Sequence, residues 1–248
     1  MRYFIELSYN GKAYHGWQNQ PDAISVQEVL EDALSKLLGE SIEIVGAGRT
    51  DAGVHALQMY AHFDYEGSMD SDDLIYKLNS FLPKDIAIYG ITQVSSEAHA
   101  RFDATSRSYV YRLAIEKNPF NFDSAYFLKT KLNLEAMQEA TKILFEYEDF
   151  QCFSKSNTDV KTYLCDIMAA HWTVVDEEWH FYIKADRFLR NMVRAIVGTL
   201  LNVGLGKIPV ASVHDIIRSK DRGQAGYSVP AHGLYLKEIC YPQDIFNE

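Results

Sequence analysis

Residues 46–56 read Gly46-Ala47-Gly48-Arg49-Thr50-Asp51-Ala52-Gly53-Val54-His55-Ala56. The three glycines permit tight backbone turns and the close approach of a ligand, and Arg49 stands two positions before Asp51. A guanidinium this close in sequence favours the ionised form of the carboxylate. Glycines also flank charged residues in many surface turns, so the run by itself fits both a functional loop and a solvated turn.

The segments around this run alternate between strand and helix patterns. Residues 2–9 alternate as a half-buried strand does, and Ser25-Val26-Gln27-Glu28 has the capping-box pattern of a helix that Gly39 would end. Further strands are predicted at 42–45, 59–63, 86–94, 108–115, near 150–154, 163–174, 179–185 and 234–241, and further helices at 71–81, 133–145, 187–202 and 210–220. This order predicts an α+β fold of two halves, 1–104 and 105–248, with antiparallel sheets and helices on one face.

The composition is that of a globular chain with a substantial core. Apolar residues make up 47% of 248, and no apolar run reaches 18 residues, so no membrane span is expected. The N-terminal residues form a strand pattern rather than a signal peptide. Three scattered cysteines without C-x-x-C spacing indicate neither a disulfide framework nor a zinc site, and a cytoplasmic location is expected.

The net charge of −10 argues, taken globally, against a nucleic-acid partner, because phosphates require a basic surface. The acidity is concentrated in residues 1–104, which carry 16 Asp and Glu against 7 Lys and Arg. Basic residues do cluster locally elsewhere. The two clusters are Arg101, Arg107, Arg112 and Lys117, and Lys184, Arg187, Arg190 and Arg194.

The sequence lacks the motifs that define several common kinds of site. Gly46-x-Gly48 begins like a dinucleotide fingerprint, but Asp51 replaces its third glycine, and no P-loop run exists. None of the eight histidines has the spacing of a zinc enzyme, so no metal site is expected. A nucleophile elbow is also missing from the sequence. The pattern gives His55 no role beyond shaping the loop.

Arginines recur at helical spacing in the second half. Arg187, Arg190 and Arg194 stand at i, i+3 and i+7, which would place them on one face of the predicted helix 187–202. Such a face is most often simply solvated. Here the only acidic neighbour is Asp186 and the opposite face is apolar, so the arginines are predicted to point toward a specific site.

Tyr109 and Tyr111 alternate along the strong strand pattern at 108–115, with Arg107 and Arg112 beside them. Each tyrosine could be an ordinary core aromatic. Aromatic rings with arginines beside them also suit a nucleotide site, because the rings can stack on an extruded base and the arginines can neutralise its phosphate. Both interpretations remain open from the residues alone.

The run Gly48-Arg49-Thr50-Asp51-Ala52-Gly53-Val54-His55-Ala56 resembles the signature of the tRNA pseudouridine synthase A family. Four further blocks resemble that family in its own order and span nearly the whole chain. They are Tyr14-x-Gly16-Trp17-Gln18-x-Gln20, His99-Ala100-Arg101-Phe102-x-Ala104-Thr105-x-Arg107-x-Tyr109-x-Tyr111, Phe188-Leu189-x-x-Met192-Val193-Arg194-x-x-Val197-Gly198, and Gly233-Leu234-Tyr235-Leu236.

The resemblance implies an enzyme that isomerises uridine to pseudouridine in the anticodon stem-loop of tRNA, around positions 38 to 40, without a metal or organic cofactor. It implies a homodimer in which one tRNA contacts both subunits. It further implies that the sheets of two α+β halves join into one central sheet, with a cleft between the halves. The acidic residues are then expected on the outer face of the first half and the basic clusters in the cleft.

The resemblance also implies roles for individual residues. Asp51 matches the catalytic aspartate, and Arg49 and Arg194 match arginines that border it. The candidate substrate contacts are Tyr109, Tyr111, Arg101, Arg107 and Leu234. Of these, Tyr109 matches a tyrosine packed on the target base, and Leu234 lies in a strand that forms an apolar wall. Asp51 could add to the base, attack the sugar, or help to abstract a proton, and the sequence leaves all three routes open.

Two alternatives belong to other classes. A non-catalytic tRNA-binding protein could keep the same scaffold, but it would have no use for an anion facing phosphates. A ribonuclease or glycosidase would need a second carboxylate or a histidine pair beside Asp51, and the sequence shows neither.

Overall fold

The computed structural model describes residues 1–155 and 160–246. The chain divides into two compact units. The first comprises Met1–Ser106 and the chain from Leu236 onward, and the second comprises Arg107–Tyr235. The sequence prediction differs from this division, because it assigns the residues after 235 to the second half.

Strands and helices alternate along both units. In chain order they are β1 (Arg2–Tyr9), α1 (Val26–Leu38), β2 (Val45–Gly46), β3 (His55–Asp64), α2 (Ser71–Phe81), β4 (Ile86–Val94), β5 (Ser106–Ala114), β6 (Tyr126–Phe127), α3 (Leu134–Lys142), β7 (Ile167–Val175), β8 (Glu178–Ala185), α4 (Met192–Gly204), α5 (Ser212–Ser219) and β9 (Leu234–Cys240). β1 with β3, β1 with β4, β2 with β3, β5 with β8 and β7 with β8 pair antiparallel, and β5 with β6 pairs parallel, so the predicted α+β class is confirmed.

In the first unit the strands lie in the order β4-β1-β3, with residues 236–240 of β9 beside β3. β1 pairs antiparallel with both β3 and β4 and is therefore an interior strand. Phe4, Ile5 and Leu7 of β1 are almost completely buried, as expected for a strand with neighbours on both sides. β2 is short and pairs with β3, which places the loop between them at the end of this sheet.

The local signals of α1 are confirmed. The Ser25 hydroxyl accepts a hydrogen bond from the Glu28 N–H at 3.1 Å, and Gly39 ends the helix with a left-handed φ of 78°. The predicted strand 42–45 is wrong in its extent, because only Val45 and Gly46 pair with β3. The backbone before Val45 bonds to a side chain of α1 instead: the Ile44 N–H donates to the Glu31 carboxylate at 3.0 Å.

In the second unit β5, β8 and β7 form an antiparallel sheet in that order, and β6 pairs parallel with β5. α3 packs against α4 and β7. The strand predicted near 150–154 is wrong, because Gln151–Phe153 form a short 3-10 helix. Cys152 and Phe153 are fully buried there, so the apolar run reflects burial of a turn rather than a strand.

The predicted helix at 187–202 begins later than its arginine spacing suggests. α4 starts at Met192, and Asn191 before it has a left-handed φ of 68°. The Asp186 carboxylate accepts hydrogen bonds from the N–H groups of Asp166 at 2.8 Å and Arg187 at 2.7 Å, which holds the preceding backbone outside a helix. Of the three arginines only Arg194 lies on α4, so the predicted shared arginine face is wrong.

Candidate active site

The loop between β2 and β3, residues 46–56 with its flanking strand ends, presents Asp51 at the start of a tight turn. We call it the Asp51 loop. The Val54 N–H donates to the Asp51 carbonyl at 3.1 Å, and Gly53 at the third position of that turn has a φ of 77°. A positive φ at this position is characteristic of a turn that requires glycine. The Asp51 side chain is half-buried and that of Arg49 is exposed.

A second loop, residues 10–17 and here called the N-terminal loop, holds the Asp51 loop through its backbone. The Trp17 N–H donates to the Thr50 carbonyl at 3.3 Å, and the Gly53 N–H donates to the Tyr14 carbonyl at 3.2 Å. The hydroxyls of Tyr9 and Thr50 are 2.8 Å apart. The residues on both sides of Asp51 are thus fixed to a neighbouring part of the same unit.

Glycines allow the two loops to approach this closely. A Cβ on Gly11 would lie 1.9 Å from the Val54 carbonyl oxygen, and one on Gly16 would lie 2.3 Å from the Thr50 carbonyl oxygen. Both distances are far inside van der Waals contact, so a side chain at either position would displace the Asp51 loop. Gly16 also has a φ of 92°, which disfavours any other residue.

His55 has a defined structural role that the sequence did not reveal. Its ring is 2% exposed, and its Nδ1 accepts the Gly11 N–H at 3.1 Å. An Nδ1 that accepts must be unprotonated. His55 therefore joins the end of the Asp51 loop to the start of the N-terminal loop.

We expect Tyr9→Phe to reduce turnover by about fivefold, because the lost hydroxyl contact with Thr50 is worth about 1 kcal/mol and holds the residue next to Asp51. Single-turnover rates of the folded variant measure this effect. Tyr89→Phe is the matched control, since it removes a 2.8 Å hydroxyl contact with Ser8 on an exposed part of the same sheet. Equal rates for Tyr9→Phe and the wild type would contradict this role.

Arg101 lies in the first unit on a tightly hydrogen-bonded turn. Its guanidinium is 5.6 Å from the centre of the exposed Phe102 ring. The turn is fixed by two histidines: His99 Nδ1 accepts the Arg101 N–H at 3.1 Å, and His62 Nδ1 accepts the Ala100 N–H at 3.1 Å. Burial lowers the pKa of His62 to about 4, so this ring stays neutral and keeps its acceptor at neutral pH.

The second unit carries the other predicted residues. The Tyr109 ring is half-buried and meets the Phe188 ring edge-on, with 5.1 Å between centroids. Arg107 donates to the Asp186 carbonyl at 3.1 Å.

Leu234 begins β9 and is 6% exposed. Arg194 lies in the first turn of α4 and donates through Nε to the Val229 carbonyl at 2.7 Å.

Tyr111 does not fit the predicted substrate contact. Its ring is completely buried, and its hydroxyl donates to the Pro230 carbonyl at 3.0 Å. A Cβ on Gly233 would lie 2.8 Å from this ring, so the backbone at Gly233 packs directly against the ring. Burial holds the pKa of Tyr111 far above its usual range, and the hydroxyl remains a donor. Tyr111 is therefore a core residue, as the ordinary interpretation of the strand pattern allows.

Among the residues that the structure describes, His, Cys, Asp and Glu nowhere form a group of three suited to hold a metal ion. No helix within 1–155 or 160–246 combines the length and apolar character needed to cross a membrane.

Comparison with known proteins gives a consistent result. A family model described as tRNA pseudouridine synthase matches residues 7–103 and 145–242. A relative from Parabacteroides distasonis, named tRNA pseudouridine synthase A, is 54% identical over 248 residues, covering 99% of this chain and 98% of the relative. Relatives of the same name come from Bacteroides thetaiotaomicron, at 53% identity over 100% of this chain and 93% of the relative, and Thermoanaerobacter sp., at 39% over 96% and 98%. The similarity thus extends over nearly the whole chain.

Proposed function

The chain belongs to the tRNA pseudouridine synthase family, whose members are isomerases, and from this premise we propose that it converts uridine to pseudouridine at positions 38 to 40 of the tRNA anticodon stem-loop, with Asp51 as the catalytic residue. The observation that carries the assignment of Asp51 is its setting. A half-buried carboxylate stands at the start of a glycine turn, and the residues on both sides of it are hydrogen-bonded to the N-terminal loop.

The chemistry requires one well-placed anion. The bond between N1 of the base and C1′ of the ribose breaks, the base rotates, and a bond from C5 to C1′ forms; C5 loses one proton and N1 gains one. Breaking the glycosidic bond develops positive charge at C1′, which the Asp51 carboxylate stabilises or captures. The base must first leave the helical stack, and an aromatic wall compensates for its lost stacking.

The remaining residues have supporting roles in this proposal. By the family resemblance, Arg49 and Arg194 are the arginines that accompany the catalytic aspartate. Tyr109 packs against the target base, and Leu234 supplies apolar surface. Arg101 and Arg107 bind phosphates of the tRNA. The edge-on support of Tyr109 by Phe188 and the bond from Arg194 to the Val229 carbonyl are consistent with side chains held in one orientation.

The decisive experiment incubates the pure protein with tRNA transcripts that carry uridine at positions 38, 39 and 40, and maps pseudouridine by chemical derivatisation and primer extension. Transcripts with cytidine at these positions are the matched control. We expect modification only where uridine is present. Binding without any modification would instead support a non-catalytic tRNA-binding protein, and modification confined to other positions would contradict the anticodon assignment.

We expect Arg194→Ala to lower turnover by roughly 10- to 100-fold, since hydrogen bonds from charged groups are worth about 1.5–3 kcal/mol. Release of tritium from C5-labelled uridine in tRNA measures the rate, and thermal unfolding verifies the fold. Arg194→Lys separates charge from geometry, because it keeps the cation but loses the planar guanidinium. A folded Arg194→Ala variant with the wild-type rate would show that this arginine is merely structural.

We also propose a cytoplasmic homodimer in which one tRNA contacts both subunits. The family resemblance supports the dimer. The buried thiols Cys152 and Cys165 are not joined in a disulfide, which supports a reducing compartment, and burial raises the pKa of both to about 12. Light scattering of the pure protein, alone and with tRNA, tests the stoichiometry. A particle of one subunit per tRNA would contradict it.

A further inference from the structure

Residues 226–230, which we call the 226–230 segment, lie directly on α4 within the second unit. A Cβ on Gly198 of α4 would lie 1.8 Å from the Tyr227 carbonyl oxygen, and one on Gly226 would lie 2.4 Å from the Thr199 nitrogen. The Gly226 N–H donates to the Thr199 hydroxyl at 2.8 Å. Backbone therefore packs against backbone, and the segment is fixed at this end to the helix that carries Arg194.

The carbonyls of this segment hold the side chains of two residues. The Val229 carbonyl accepts Arg194 Nε at 2.7 Å, and the Val229 N–H donates to the Arg194 carbonyl at 3.3 Å. The next carbonyl, that of Pro230, accepts the buried Tyr111 hydroxyl at 3.0 Å. Val229 itself is completely buried. The orientation of the Arg194 guanidinium thus depends on the position of the Val229 carbonyl.

Arg222 also holds the 226–230 segment, through two hydrogen bonds. One terminal nitrogen of its guanidinium donates to the Gly226 carbonyl at 3.0 Å, and the other donates to the Ser228 hydroxyl at 2.9 Å. The same hydroxyl accepts Asn191 Nδ2 at 2.7 Å. Since Asn191 directly precedes α4, Ser228 is joined both to the start of that helix and to Arg222.

We propose that Arg222 is a positioning residue for the isomerisation: by bridging Gly226 and Ser228 it fixes the 226–230 segment, whose Val229 carbonyl in turn orients the Arg194 guanidinium. The inference rests on the role proposed for Arg194. The planar fork of an arginine suits the two acceptors, because a lysine ammonium cannot present two separate nitrogens to them.

Arg222→Ala is expected to lower kcat by about tenfold with little change in KM for tRNA, since a charged donor is lost from the support of a catalytic group rather than from tRNA binding. Arg222→Lys should regain only part of the rate. Ser228→Ala removes the bridged hydroxyl alone and should act in the same direction. Arg218→Ala is the matched control; Arg218 lies on α5 with its guanidinium over the Tyr147 ring, and its loss should leave kcat unchanged.

A double-mutant cycle separates positioning from general loss of structure. If Arg222 acts through Arg194, then Arg222→Ala should cause no further loss of kcat in the Arg194→Ala background. Equal fold-losses in the two backgrounds would overturn the inference, and so would an unchanged kcat in a folded Arg222→Ala variant.

Amide hydrogen exchange provides a readout that does not depend on activity. In Arg222→Ala and Ser228→Ala the Val229 amide should exchange faster than in the wild type, while amides in the middle of α4 remain protected. Unchanged exchange at Val229 would overturn the inference. If the wild type forms no pseudouridine, the proposed function fails, and the exchange measurement alone still decides whether Arg222 fixes the segment.

Discussion

Replacing Asp51 by asparagine is expected to abolish pseudouridine formation, with a loss of at least about 10³-fold, because the proposed mechanism relies on this charge to stabilise the developing positive centre. The fold should survive, since the turn is closed by the Asp51 backbone carbonyl, which the substitution leaves in place. Tritium release from C5-labelled uridine in tRNA measures the activity. Filter binding of the same tRNA should give an affinity close to that of the wild type.

Asp176→Asn is the matched control for this change in charge. Asp176 lies in the turn between β7 and β8, where it has a positive φ of 52° that asparagine adopts as easily. The control should retain full activity and stability. Release of tritium by a folded Asp51→Asn variant at the wild-type rate would remove Asp51 from the mechanism.

Gly16→Ala is expected to lower activity by at least about 100-fold and stability by roughly 3 kcal/mol, from the strained φ together with a severe backbone clash. The added Cβ would lie 2.3 Å from the Thr50 carbonyl oxygen and 3.2 Å from the Asp51 carbonyl carbon. The Asp51 loop must therefore move, and the carboxylate with it. Chemical unfolding measures the stability, and single-turnover modification measures the rate.

Gly39→Ala isolates the effect of the clash. Gly39 also has a positive φ, 78°, but a Cβ there would meet nothing within 4 Å. It should cost about 1 kcal/mol and leave the rate unchanged, because the strain lies at the end of α1. If both variants behaved alike, backbone strain and not the contact with Thr50 would explain the glycine at 16.

The sequence predicted those elements whose signals are local. Ser25, Glu28 and Gly39 mark the ends of α1 through hydrogen bonds and dihedral angles within one or two turns of the chain. The start of α4 depends on Asp186, which bonds to Asp166 twenty residues away, and on the positive φ of Asn191. No periodicity within the helix reports such contacts, so the arginine spacing extended the predicted helix too far.

The candidate site shows the same limit. The Asp51 loop stands out because its glycines and charges are consecutive. The support from Tyr9, His55 and Gly16 depends on pairing between loops more than thirty residues apart, and each of these residues alone looks like ordinary core or turn. Arg222 and Ser228 belong to no recognisable motif, and only their bonds to the 226–230 segment reveal their relation to Arg194.

The path of β9 has a consequence for biosynthesis. The strand leaves the second unit after Tyr235, and its residues 236–240 lie beside β3 in the first unit. A ribosome must therefore translate the whole second unit before the sheet that carries the Asp51 loop can be completed. Domains often fold in the order in which they emerge, but here the unit begun first is finished last. A nascent chain stalled before residue 236 would leave β3 without its β9 partner, and an exposed strand edge can pair with another chain.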